Sequence, residues 1–347
     1  VKPIRVLLLH RDEWYRWLPR IDGGFAYEVP QFIVDHHVLP KAFKLRLDAD
    51  LPIAENGNPW PDVVWLDEGK FKSHSAILPG RPRSIHNLPP VVQHVLYPTL
   101  TDSHYRTRLE RAKANADLVL LDHDDLDRWR TGLGKALPAR RFAYSVNERF
   151  YCDQGLRRDI DVGFYCVYAF NRERPALDKW LEQFCERKGW HYGSTYGKSV
   201  GPRYARLLAR TKVVVHLNRT PATRPPRIFD CGATGTALLS NPMPQVSGEY
   251  WEPWVHYAVF EEPRSEEYRQ FKADDIPVYD DKACAQIAAG LEWLLEQGNW
   301  ERVAANTHER VLACHTWRQR AAELYAMLLD EFPQLREERE EWWYQSP

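Results

Sequence analysis

The chain has 347 residues, enough for roughly two domains. Hydrophobic residues make up 44% and charged residues 27%, which excludes a mostly disordered chain, a collagen-like repeat and a disulfide mini-protein. Lys and Arg number 47 against 48 Asp and Glu, a net charge of -1, so a uniformly basic nucleic-acid binder is excluded while a local basic patch is not.

The segment Arg5–His10 reads as a buried strand, and His10 closes it. Gly23-Gly24 follows as a glycine-rich turn. Residues 40–62, rich in Pro, Asn and Asp, read as a long irregular connection. Short apolar runs recur at Val63–Leu66, Val91–Leu96 and Leu118–Leu121, with a polar, Arg-rich helical stretch at Ser103–Ala114. Strands alternating with helices predict a parallel sheet with crossovers. Asp67-Glu-Gly69 and Thr101-Asp-Ser-His104 fall just after runs, where a strand's carboxyl end places its loop. Asp122-His-Asp-Asp125 has a metal-like composition, but the simpler reading is a cap on the next helix, and no metal site is expected.

A polar stretch, Ser145–Arg158, separates the halves. A strand at Asp161–Val167 opens the second series. A helix at Ala176–Lys188 follows, with Leu177, Trp180, Leu181 and Phe184 at helical spacing. Strands are expected around Trp190–Tyr192, Val213–Leu217, Ala237–Ser240 and Ala258–Phe260, and helices at 282–297, 299–313 and 316–331. The expected division is residues 1–150, residues 151–331, and a tail of 332–347 with an aromatic end, Trp342-Trp343-Tyr344, packing back on the first domain. The stretch from Gln245 to Asp275 is long and aromatic, with Tyr250, Trp251 and Trp254. It either shapes a specialised pocket or packs on the domain.

The six cysteines, at 152, 166, 185, 231, 284 and 314, form no C-x-x-C pair, which fits a reducing cytoplasm. Val6–Leu9 is too short for a signal-peptide core, and no run approaches the roughly 20 apolar residues of a membrane span.

The sharpest local signal is a charge gap. Between Glu186 and Asp230 lie ten cations and no acid: Arg187, Lys188, Lys198, Arg203, Arg206, Arg210, Lys212, Arg219, Arg224 and Arg227. A basic helix face at 203–212, paired with acids elsewhere, accounts for about half of them. Arg219, Arg224 and Arg227 instead flank a Pro-rich loop after an apolar strand. Their planar forks suit the oxygens of a diphosphate. Arg227–Ser240 then reads as a helix with one carboxylate, Asp230, a Gly turn and a buried strand. Gly232 and Gly235 permit close backbone approach.

Val213–Asn218 and Pro226–Ser240 resemble the donor-site segment of GT-B glycosyltransferases, nearest the spore-maturation-type, glycosyltransferase-family-1-like group. The resemblance extends from Arg158–Tyr168 with Asn171-Arg172 to Val278–Asp281 and His315–Ala321, roughly residues 145–330. It implies an α/β fold of two Rossmann-like, doubly wound domains facing a cleft. It implies a glycosyltransferase, with a nucleotide-diphosphate sugar, UDP-sugar first, as donor substrate, and no prosthetic group or obligatory metal. Asp230 takes the place of the family's ribose-binding Glu. Arg224 and Arg227 would hold the diphosphate, with Arg172 a further candidate. Gly23, Gly24, Lys198, Asn218, Thr234, Gly235 and Thr236 complete the expected donor set. An acid and a His often occur in the family near Asp102 and His104, which are therefore the first candidates for a base. Asp67 is the second and His10 the third. Retaining relatives carry E-x7-E, whose first Glu would fall at Ala222, so that carboxylate is missing and the stereochemistry stays open. The acceptor is open too: a glycan, a small molecule, or a hydroxymethylated DNA base, the last in view of the Trp14, Arg16, Trp17, Arg20 cluster. A nucleotide-sugar epimerase and a non-catalytic nucleotide-sugar-binding protein are the alternatives on the same fold.

Overall fold

A computed structural model describes residues 105–106, 109–110, 112–113, 116–121, 126–135, 137–142, 145–166, 173–195, 201–217, 227–243, 251–261 and 281–336, and the backbone course of 4–10, 32–38, 63–67 and 91–95. The chain forms two compact units, Val1–Tyr144 with Trp317–Pro347, and Ser145–Thr316.

The first unit is built on a six-stranded sheet. Its strands are β1 (Ile4–His10), β2 (Phe32–Val38), β3 (Val63–Asp67), β4 (Val91–Val95), β5 (Leu118–Leu121) and β6 (Ala139–Arg141). They lie in the order β2-β1-β3-β4-β5-β6, all parallel. β2 and β6 were not expected from sequence. Phe32–Val38 carries Asp35, His36 and His37, and β6 is a three-residue edge strand with two Arg, so neither shows an apolar run. β5 is buried at all four residues because both faces of the sheet are covered. Val119 and Leu121 pack with Tyr105, Leu109 and Trp129, the last on α1 (Leu126–Leu133). Leu118 and Leu120 pack on the opposite face.

That opposite face is covered by α7 (Trp317–Glu331), the last α-helix of the described residues. Trp317, Ala321, Leu324 and Leu328 recur at helical spacing, are fully buried, and meet Leu118, Leu120 and Phe142. Arg140 of β6 also pairs with Asp330, at 3.1 Å, and with Glu331. The expected domain ending at 331 is therefore divided differently. Residues 317–331 belong with the N-terminal sheet, because their apolar stripe completes its core. Leu324→Ala removes a fully buried side chain there, and we expect it to destabilise this unit by about 2–5 kcal/mol in urea unfolding. An effect under about 0.5 kcal/mol would contradict the packing.

The second unit carries a five-stranded parallel sheet in the order β11-β10-β9-β7-β8. The elements are β7 (Ile160–Tyr165), α2 (Glu173–Lys188), β8 (Tyr192–Thr195), α3 (Gly201–Ala209), β9 (Thr211–His216), α4 (Arg227–Ala233), β10 (Ala237–Ser240), β11 (Ala258–Val259), α5 (Asp281–Leu295) and α6 (Trp300–Cys314). One face of β7, β9 and β10 presents Val162, Phe164, Val213, Val215 and Leu239 to α2 and α5. The strand expected at Trp190–Tyr192 starts two residues later. The Trp190 amide donates to Cys185 O at 2.9 Å, closing the end of α2, and its ring packs edge-on against Phe184.

Candidate functional site

The second sheet has a topological switch point. From β7 the chain steps to β8 on one side, then to β9, β10 and β11 on the other. In open parallel sheets, ligands bind at the carboxyl ends of the two strands where the order reverses. Here those strands are β7, ending at Tyr165, and β9, ending at His216.

Arg227 lies at this point. It opens α4, the next helix after β9, and its Nη2 donates to the Tyr165 carbonyl at 2.6 Å, at the end of β7. Its guanidinium also rests over the Tyr204 ring, 4.8 Å from the centroid. A strand carbonyl and an aromatic face thus fix one cation at the switch point. Asp230 lies one turn further along α4 and is fully buried. Cys166, beside Arg227 in the charge network, has its thiol pushed up to about 11 by burial, so it stays neutral and is no nucleophile at neutral pH. Tyr165 is raised to about 12, also by burial. Its hydroxyl reaches back to Thr211 Oγ1 at 2.7 Å, whose own proton goes to Leu207 O.

Helix α4 is held tightly from behind. A Cβ on Gly232 would lie 2.6 Å from Val311 Cγ2 and 2.9 Å from Thr307 Cγ2, so only glycine lets α4 sit this close to α6. His308 of α6 donates from Nδ1 to the Gly232 carbonyl at 2.8 Å. Trp251, fully buried, packs edge-on against Phe229 and His256, tilts over His315, and lies under Arg310 at 5.3 Å. Trp251 therefore packs on the unit, the second of its two expected fates. The pKa of His256 is lowered by burial and then by Arg310, and its Nδ1 accepts from the Glu252 amide. A His whose folded pKa lies below its unfolded value costs stability once pH falls below the unfolded value. We expect the melting temperature to drop as pH falls from 7 to 5, and to drop less in His256→Asn, which keeps an acceptor but does not titrate. Parallel curves for the two proteins would contradict this.

Thr234, Gly235 and Thr236 were expected in the donor set, but they lie at the amino-terminal edge of the sheet. Helix α4 runs from the carboxyl ends of the strands back to the start of β10, and these residues form the turn there. Thr234 Oγ1 donates to Asp230 O at 2.9 Å, and Thr236 Oγ1 to Leu208 O at 2.7 Å. Arg158 crosses the same edge, donating to Thr211 O at 2.7 Å, Thr234 O at 2.7 Å and Thr236 Oγ1 at 3.2 Å. Burial lowers its pKa without discharging it. Gly235 takes φ +68°, with Arg158 Nη2 only 3.0 Å from where a Cβ would stand. These groups join strand starts and serve the fold.

The charge gap divides in the same way. Arg210 pairs with Asp159 at 2.5 Å, Lys212 with Asp161 at 2.6 Å, and Lys188 with Glu292 at 2.7 Å. Arg203 and Arg206 are exposed on α3. Gly23, Gly24, Asp102, His104, Asp122–Asp125, Arg172, Lys198, Asn218, Arg219, Arg224 and Tyr250 lie outside the described residues, as does the tail beyond 336.

The N-terminal sheet has its own switch point, between β1 and β3. His10 ends β1 and Asp67 ends β3, and the register Leu9 with Leu66 brings these two ends side by side. On its other side Asp67 is in register with His94 of β4. His94 was not singled out in the sequence, where it sits inside the run Val91–Leu96. Among the described residues no cluster of three or more His, Cys, Asp or Glu is placed to hold a metal, and no helix is long and apolar enough to cross a membrane.

Residues 171–326 match a family described as glycosyl transferase-like, a segment that contains β9 and α4. The chain is also similar in structure to Anabaena HepE, solved with UDP and glucose, with a TM-score of 0.59 at 12% identity over 94% of this chain and 100% of that one. A Rickettsia africae glycosyltransferase gives 0.54 at 7% identity over 95% and 99%. An alpha-glucosyltransferase solved with UDP-glucose and DNA containing an abasic site gives 0.53 at 10% identity over 94% and 100%. No curated protein matches the chain by sequence. Residues 171–326 are thus a glycosyl transferase-like segment, and the fold is the GT-B architecture of these glycosyltransferases.

Proposed function

We propose that the chain transfers a glycosyl group from a UDP-sugar to a hydroxyl acceptor, with side chains rather than an obligatory metal neutralising the leaving diphosphate. The observation that carries this reading is Arg227, held at the β7/β9 switch point by the Tyr165 carbonyl and the Tyr204 ring. Arg227 and Arg224 would meet the diphosphate, with Arg172, Lys198 and Asn218 from neighbouring loops. Asp230 would bind the ribose, as the aligned Glu does in the family. Fixed cations at a developing negative charge lower the barrier because they need no reorganisation as it forms.

In the reaction the bond from the anomeric carbon to the β-phosphate oxygen breaks, and UDP leaves with the electron pair. The acceptor oxygen bonds to that carbon and gives up its proton. Asp102 and His104 would be the first candidates to take it, and Asp67, which closes β3, the second. The acceptor class is a glycan, a small molecule or a hydroxymethylated DNA base.

Thermal-shift and calorimetric titration against UDP, GDP, ADP, CMP and their sugar conjugates tests the donor. A ligand of the native state raises its melting temperature. We expect UDP to stabilise the protein, and Asp230→Ala or Arg227→Ala to weaken it by about ten- to a hundredfold, the loss of a charge-assisted hydrogen bond of about 1.5–3 kcal/mol. Thr236→Val should lower stability yet leave UDP affinity within about twofold. Affinities of the Arg227 and Asp230 variants within twofold of the parent would sink the mapping.

A further inference from the structure

Trp251 and Trp254 are three residues apart, yet only Trp251 is buried. Trp254 is 40% exposed. It is also the one non-glycine residue with positive φ among the described residues, at +66°. That conformation is strained for a bulky side chain and persists only where neighbours over-determine it. They do so here. The Trp254 amide donates to Tyr257 O at 2.6 Å, the His256 amide to Glu252 O at 2.9 Å, and Arg302 Nη1 to Trp254 O at 3.4 Å. The Trp254 ring stands edge-on to Trp293, 4.9 Å between centroids, and the Arg302 guanidinium lies 5.5 Å from the Trp293 ring. Asn299 ties the group together, donating to Trp293 O at 3.0 Å and accepting from Arg302 Nη2 at 3.2 Å.

This cluster is held by several hydrogen bonds and is partly apolar, its two indoles at 81° to one another, with the Arg302 guanidinium beside the exposed Trp254. It lies at the amino-terminal edge of the second sheet. The next residue after Asn299 is Trp300, which carries the Arg158 guanidinium, and Trp254 precedes the start of β11. It is therefore apart from Arg227 and Asp230.

We propose that Trp254, with Trp293 and Arg302, is a stacking platform for a pyranose ring of a neutral polysaccharide, a docking site separate from the donor site. An indole offers an apolar face beside polar groups, the pairing that an amphiphilic sugar ring requires. Charge favours a neutral polymer over a polyanion such as DNA: the exposed Glu252 and Glu301 outweigh the one cation of the cluster, Arg302. The choice of occupant rests on the glycosyl-transfer reading.

Affinity electrophoresis of the full chain through gels holding an α-glucan, a β-glucan or a galactomannan tests this, with a short DNA duplex in parallel. Trp254→Gly removes the ring and relieves the backbone, so its melting temperature should not fall. We expect at least one polysaccharide to retard the parent, and Trp254→Gly to bind it about tenfold more weakly or worse. UDP stabilisation, read on the same samples, should be equal in both. No retardation by any polysaccharide, retardation unchanged in Trp254→Gly, or retardation by DNA alone would overturn the platform. Loss of UDP stabilisation in the parent itself would instead strike the donor reading.

Discussion

The donor site proposed for this chain depends on holding one short helix in place. Helix α4 has seven residues, too few to be stable alone, and every one of them is buried. It nevertheless carries Arg227 and Asp230. Burial of charged groups is costly unless their partners are fixed, so the surroundings must be rigid. Three contacts supply the rigidity. The Tyr165 carbonyl holds the first residue, Gly232 seats the helix on α6, and the Thr234–Thr236 turn ties its end to Arg158.

These contacts give the two edges of the second sheet different tasks. At the amino edge Arg158, Thr211, Thr234 and Thr236 satisfy one another's polar groups and join the starts of three strands. At the carboxyl edge β7, β8, β9 and β10 end on Tyr165, Thr195, His216 and Ser240, and Arg227 stands at the β7 end. The parallel sheet makes this separation: every strand starts at one edge and ends at the other, so structural and chemical groups need not compete for the same ground. In the N-terminal sheet, likewise parallel, His10 and Asp67 close β1 and β3.

Much of this was legible in the sequence, for definite reasons. Apolar runs at Val213–Leu217 and Ala237–Ser240 are strands because both sheet faces are covered. The helix at 316–331 was legible from the spacing of Trp317, Ala321, Leu324 and Leu328, but its partner was not. An apolar stripe states that a face is buried, not against what. Thr234-Gly-Thr236 reads as an anion-binding turn by composition, and only the direction of α4 across the sheet shows that it lies at the wrong edge. The acids that pair Lys188, Arg210 and Lys212 lie outside the basic window, so the window looked less compensated than it is. Trp251 and Trp254 share a local context, yet the first is buried and the second, at positive φ, is exposed.

The central claim is that the start of α4, at the β7/β9 switch point, is where a nucleoside diphosphate binds. A crystal structure of the chain with UDP tests it most directly. The account predicts phosphate oxygens within hydrogen-bonding distance of the Arg227 guanidinium and ribose hydroxyls on the Asp230 carboxylate. UDP bound elsewhere, with Arg227 still engaged only with Tyr165 and Tyr204, would contradict it.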